Sequence, residues 1–171
     1  MRLKITSLLA TAALALTACG SSTDECAEVM GQGGLLPAAE ALAAAEACVP
    51  GTVADFVDNV GDRVFFDFDR SAVRPDGMEI LQRQAAWLNT YGNYVVTING
   101  HCDKRGTVEY NLALGERRAH AAREKLIAFG VDPARIRVVS YGKNRPIVEQ
   151  DNAGDLEWAF QQNRVAITVL D

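Results

Sequence analysis

The stretch "NGHCDKRGTVEYNLALGERRAH", residues 99–120, joins two different periodicities. Before it, "YVVTING" (94–100) is β-branched and ends on a glycine, the signature of a strand. Beyond its turn, Leu112, Ala119, Ala122, Leu126 and Phe129 recur on one helical face, and Gly130 follows as a stop. Read this way, the stretch is a strand-to-helix junction that gathers a histidine, a cysteine, an aspartate and several cations in one turn.

Working outward, the same alternation repeats. "RVFFDFD" (63–69) is an aromatic-rich strand. A helix follows, opened by Pro75 and Asp76, with Met78, Leu81, Ala85 and Leu88 on one face. After the central junction come a strand at "RIRVVSYG" (135–142), a weaker helix at "NAGDLEWAFQQN" (152–163) and a last strand at "RVAITVL" (164–170). The order β-α-β-α-β-α-β within residues 61–171 predicts an α/β (α+β) sandwich with one sheet covered by helices. In the first strand Val64, Phe66 and Phe68 alternate with Phe65, Asp67 and Asp69, so one sheet face is expected to be wetter, with helices in a single layer.

The remainder reads differently. "MRLKITSLLATAALALTAC" (1–19) has cations at Arg2 and Lys4, an apolar run from Ile5 to Leu16, and small residues before Cys19. This is the pattern of a secretory signal peptide over 1–18. The run spans about 18 Å as a helix, short of the roughly 30 Å of a bilayer core. Leu16-Thr17-Ala18-Cys19 further resembles a bacterial lipobox, which makes Cys19 the expected lipidation site; two or more acyl chains anchor a protein durably. Residues 19–60, centred on "GQGGLLPAAEALAAAEACVPG" (31–51), are rich in Gly and Ala and read as a tether with at most a short helix over Pro37 to Ala47. Cys26 and Cys48 lie in that tether and can pair in an oxidising compartment; Cys102 reads as a small buried side chain.

At 171 residues, 49% hydrophobic and 23% charged, the chain has material for one core of ordinary size. Removing the leader takes two of the 17 Lys and Arg away, and the net charge of −5 becomes −7. Such a surface is repelled by phosphate backbones, so nucleic acid is excluded as a partner.

Three chemistries compete for the 99–120 junction. A Cys/His dyad is disfavoured because, in a chain still extended there, Cys102 points away from His101 and Asp103. A zinc site is disfavoured by the surrounding Lys104, Arg105, Arg117 and Arg118. The third is a ligand clamp: Asp103 at the strand end and Arg118 in the returning helix would meet a zwitterion, the acid accepting from an ammonium and the guanidinium gripping a carboxylate with two parallel hydrogen bonds. An ordinary strand-to-helix salt bridge between Asp103 and an arginine fits the same residues.

"GHCDKRGTVEYNLALGERRA" (100–119), preceded by "FDFDRSAVRP" (66–75) and followed by "VVSYGKNRP" (138–146), closely resembles the OmpA-like carboxyl-terminal domain family, in its branch of peptidoglycan-associated lipoproteins, from about Arg63 to Leu170. The resemblance implies an outer-membrane lipoprotein, on the periplasmic face, that binds meso-diaminopimelate of peptidoglycan stem peptides without a covalent bond. It also implies Tol-system periplasmic partners, a role in envelope integrity and cell division, no cofactor and no catalysis. An envelope-anchored peptidoglycan-processing enzyme is the alternative class. Carried over by position, Asp103 takes the ammonium and Arg118 the carboxylate. Phe68 and Asp69 line the pocket, and Asn111, Leu114 and Gly115 add contacts at the helix start, where free N–H groups favour an anion. Thr107 is a further candidate, and Arg117 is assigned to the surface or to a partner. The family shows asparagine followed by two arginines before the last strand. Here the run is Gln161-Gln162-Asn163-Arg164-Val165, which leaves the parts of Asn163 and Arg164 open.

Overall fold

The computed structural model describes residues 49–149 and 154–171. The signal peptide, Cys19, the Cys26 and Cys48 pairing and the short Ala-rich helix all lie outside the described residues.

The elements appear in the expected order. Helix α1 (Val53–Asp55) runs into a π-helical turn (Phe56–Val60), followed by β1 (Arg63–Phe65), α2 (Pro75–Thr90), β2 (Val96–His101), α3 (Val108–Ala128), a 3-10 turn (Pro133–Arg135), β3 (Ile136–Gly142), α4 (Leu156–Asn163) and β4 (Val165–Leu170). The sheet order is β1-β4-β2-β3. β4 runs antiparallel to both of its neighbours and β2 pairs parallel with β3, which makes the sheet mixed.

Burial follows the pleat. Val96, Ile98 and Gly100 of β2 are buried, with Ala166 and Thr168 of β4 beside them, whereas Thr97 and Asn99 are half-buried and Val169 is exposed. One face therefore carries the helices and the other is wetter, as the alternation predicts. The core is one cluster, with Val64 and Phe66, Leu81, Ala85 and Leu88 of α2, Ile98, and Ala119, Ala122 and Leu126 of α3 at its centre. At the end of α3, Gly130 takes φ 95°, and its N–H and that of Val131 satisfy the carbonyls of Ile127 and Leu126.

Three expectations are corrected. First, the expected tether over 19–60 includes Phe56 and Val60, which belong to the core. Asp55 accepts a hydrogen bond from the Trp87 indole at 2.7 Å, and the Tyr94 hydroxyl donates to the Gly51 carbonyl at 2.8 Å, so the folded unit begins about ten residues earlier. The glycines and polar residues of 51–62 concealed a single buried aromatic. Second, β1 is three residues long rather than seven. Its partner β4 starts at Val165, opposite Phe65, so beyond Phe66 no strand remains to pair with. Third, Leu112 is exposed. The buried stripe of α3 runs through Asn111, Leu114, Gly115, Arg118, Ala119, Ala122 and Leu126, and two polar residues in it shifted the apparent phase.

Candidate ligand pocket

The pocket is built by the close approach of α3 to β2. A Cβ placed on Gly100 would lie 1.9 Å from the Gly115 carbonyl oxygen, and one on Gly115 would meet the Ser140 hydroxyl at 2.5 Å. Only two glycines allow this crossing, which brings the first half of α3 against the end of β2. Thr107 caps the helix, its hydroxyl accepting from the Tyr110 N–H at 3.2 Å.

A cavity of about 460 Å³ opens there. Its lining includes Phe68, Asp69, Asp103, Thr107, Asn111, Leu114 and Arg118, seven of the eight residues expected at the site, together with Cys102, Arg105, Gly106 and Tyr110. Gly115 is the exception, spent on the helix–sheet contact. Its size is that of a small-molecule site, roughly 300–1,000 Å³.

Asp103 is buried, and its oxygens are held on several sides. The Arg105 backbone N–H donates to Oδ1 at 3.1 Å, Arg105 Nη2 and Nε donate to Oδ2 at 2.6 and 3.2 Å, and Arg164 Nη1 lies 3.4 Å from Oδ2. Burial pushes the carboxyl pKa up, but the Arg105 hydrogen bonds and charge, with Arg164 behind, outweigh it and hold it below the ordinary value. The acid is ionised at neutral pH.

Arg118 is 1% exposed. Its Nε donates to the Arg70 carbonyl at 2.9 Å, Nη1 to the His101 carbonyl at 2.9 Å and to Cys102 Sγ at 3.4 Å, and Nη2 to the Asp67 carbonyl at 3.0 Å. Of five N–H groups, one is left uncommitted by these bonds among the described residues. The expected two-bond grip on a carboxylate is therefore not what this fork is arranged for. Its position in the buried stripe makes it the partner of two loop carbonyls and of the last carbonyl of β2, and it meets the cavity with charge and one remaining donor.

The helix start also differs from expectation. The Asn111 N–H is already bonded to the Thr107 carbonyl at 3.2 Å, and its side-chain amide donates to the carbonyls of Arg105 (2.6 Å) and Thr107 (2.9 Å). Asn111 thus shapes the turn rather than offering a free backbone donor. Asp69 sits at φ 56° and accepts from the Tyr110 hydroxyl, whose pKa that carboxylate raises.

The strand ends at His101, so alternation does not carry into the next two residues. Cys102 and Asp103 both line the cavity, whereas the His101 ring turns to the Arg145 carbonyl (2.9 Å) and lies 5.3 Å from the Tyr141 ring, tilted 43° to it. Burial pushes the Cys102 thiol pKa up. Arg105 and Tyr110 were missed by sequence reasoning. The signal for Arg105 was its place two residues after an aspartate in a Gly-terminated turn, and for Tyr110 its place three residues after the cap.

Arg164 and Asn163, left open above, are both buried. Arg164 donates to the Phe66 carbonyl at 3.2 Å while pairing with Asp103, which lines the cavity, and with Glu157. Asn163 receives the N–H groups of Ile147 and Val148 and donates to the carbonyls of Val148 and Ala159, which fixes the loop before α4.

A mixed sheet under one helical layer, with a charged cavity at the β2–α3 junction, defines a class, and residues 65–157 match the family model described as the OmpA family; the chain belongs to that family. Within it, the chain is 49% identical over 129 residues to a protein of Agrobacterium fabrum named peptidoglycan-associated lipoprotein, covering 75% of this chain and 71% of that one. It is 51% identical over 126 residues to a protein of Rhizobium meliloti with the same name, covering 74% and 69%. The fold is similar to the crystal structure of the peptidoglycan-associated lipoprotein from Burkholderia pseudomallei, with TM-score 0.63, 35% identity, and coverage of 70% of this chain and all of that one.

Proposed function

We propose that this protein is a lipid-anchored envelope protein that holds peptidoglycan non-covalently by the free end of meso-diaminopimelate in the stem peptide. Anchored through Cys19 to the outer membrane, it links that membrane to the wall and works with Tol-system periplasmic proteins in envelope integrity and cell division; it catalyses no reaction. One observation carries the reading: Asp103 and Arg118 line the same cavity. In that hollow Asp103 receives the ammonium of the diaminopimelate head group, the Arg118 charge favours its carboxylate, and Phe68 and Leu114 flank the methylene chain. Relatives named peptidoglycan-associated lipoprotein at about half identity support the same class.

Two charge-assisted contacts at roughly 1.5–3 kcal/mol each, less ordering costs, give single-site binding that is modest. Many copies tethered to one membrane make the attachment multivalent. The test is retention of the purified protein on sacculi of the diaminopimelate and lysine types, with free meso-diaminopimelate or lysine as eluant. Selective retention on the first and selective elution by diaminopimelate are expected; equal behaviour on both walls would defeat the reading.

A further inference from the structure

The proposed site sets a puzzle. Asp103, which is to receive an ammonium, already carries a cation, and Arg118, which is to grip a carboxylate, has its fork committed to backbone. Both observations converge on Arg105.

The Arg105 guanidinium lies 4.1 Å from the centre of the Phe68 ring and 4.4 Å from that of Phe160, and it reaches Glu157 at 3.8 Å. Its side chain holds Asp103 through Oδ2 alone. Oδ1 is held by the Arg105 backbone N–H, and Arg164 stands behind. The carboxylate therefore keeps its orientation and a counter-charge when the Arg105 side chain departs. Departure is open to Arg105, whose side chain is 36% exposed, and closed to Arg164, at 7% and tied to the Phe66 carbonyl.

We propose that Arg105 is a latch and a second recognition residue: its guanidinium occupies the Asp103 edge that the ligand's ammonium takes, and on binding it swings from Asp103 to the ligand's carboxylate. This rests on the reading of the pocket above. The exchange leaves no charge unpaired, since the Asp103–Arg105 pair inside the protein is replaced by two pairs across the interface. A ligand with an ammonium and no carboxylate must break the Asp103–Arg105 pair without giving the guanidinium a new partner. The latch thus makes the site select zwitterions over simple amines.

The experiment titrates the unaltered protein, Arg105→Gln and Arg105→Lys with meso-diaminopimelate and with 1,5-diaminopentane, the same chain without carboxylates, following chemical shifts at the pocket. For Arg105→Gln, diaminopimelate should weaken about tenfold while diaminopentane tightens about fivefold, opposite movements that a merely structural residue would not produce. Arg105→Lys should fall between. Thermal midpoints monitor folding, and the lysine variant serves if the glutamine one is unstable. Changes of one sign for both ligands, or none, overturn the latch. Failure of the unaltered protein to bind diaminopimelate overturns the pocket reading, and the latch with it.

Discussion

Gly100 and Gly115 meet backbone to backbone across the helix–sheet interface, so close that a methyl group on the first would fall inside the carbonyl of the second. This contact sets where Arg118, three residues further along α3, reaches the end of β2. Gly100→Ala should destabilise the domain by about 1–3 kcal/mol or more, because backbone cannot yield. Gly115→Ala should cost less if Ser140 rotates away. Urea midpoints of both variants check the order; a neutral Gly100→Ala would mean that α3 is free to lift.

Arg118 donates to three backbone carbonyls, those of Asp67 and Arg70 in the loop after β1 and that of His101 at the end of β2. Arg118→Lys keeps the charge but offers a single ammonium, and should lose about 2–4 kcal/mol through carbonyls left without partners. Arg117→Ala, on the exposed side of the same helix, should stay within about 0.5 kcal/mol. Chemical denaturation of the pair separates the buried role from general charge. For the same reason the pocket's chemistry is better probed through Asp103→Asn than through Arg118.

Acid should weaken the fold in two windows. Burial lowers the pKa of His101 against the Arg145 carbonyl contact, so below the ordinary 6.5 the unfolded chain takes up a proton that the folded chain refuses. Stability therefore falls as pH drops from 6.5 toward the depressed folded value. Asp103 and Asp55 are also held below their ordinary 3.8, so their contribution is present above that value and is lost as pH falls further, through the folded values. His101→Gln should remove the upper window and leave the lower, as measured by thermal midpoint against pH.

Phe56 packs edge-on to Trp87, ring centres 5.0 Å apart, and is fully buried. Phe56→Ala should cost about 3–5 kcal/mol. A chain starting at residue 61 should lose at least as much, whereas one starting at 49 should retain the full midpoint in calorimetry.

What the residues announced by themselves was the order of elements, the helical faces at Leu81, Ala85 and Leu88 and at Ala119, Ala122 and Leu126, and the gathering of charge after Gly100. Period and punctuation are local properties of a chain, and the quoted motifs carried the family. Tertiary structure decided what depends on partners. β1 stops at Phe65 because β4 begins opposite it, the segment before residue 61 joins the core because Trp87 and Tyr94 await it, and Arg118 serves carbonyls because α3 turns it inward. Whether Asp103 meets Arg105, Arg164 or a ligand is likewise a matter of which side chains the fold brings within about 3 Å, and no spacing along the chain states that.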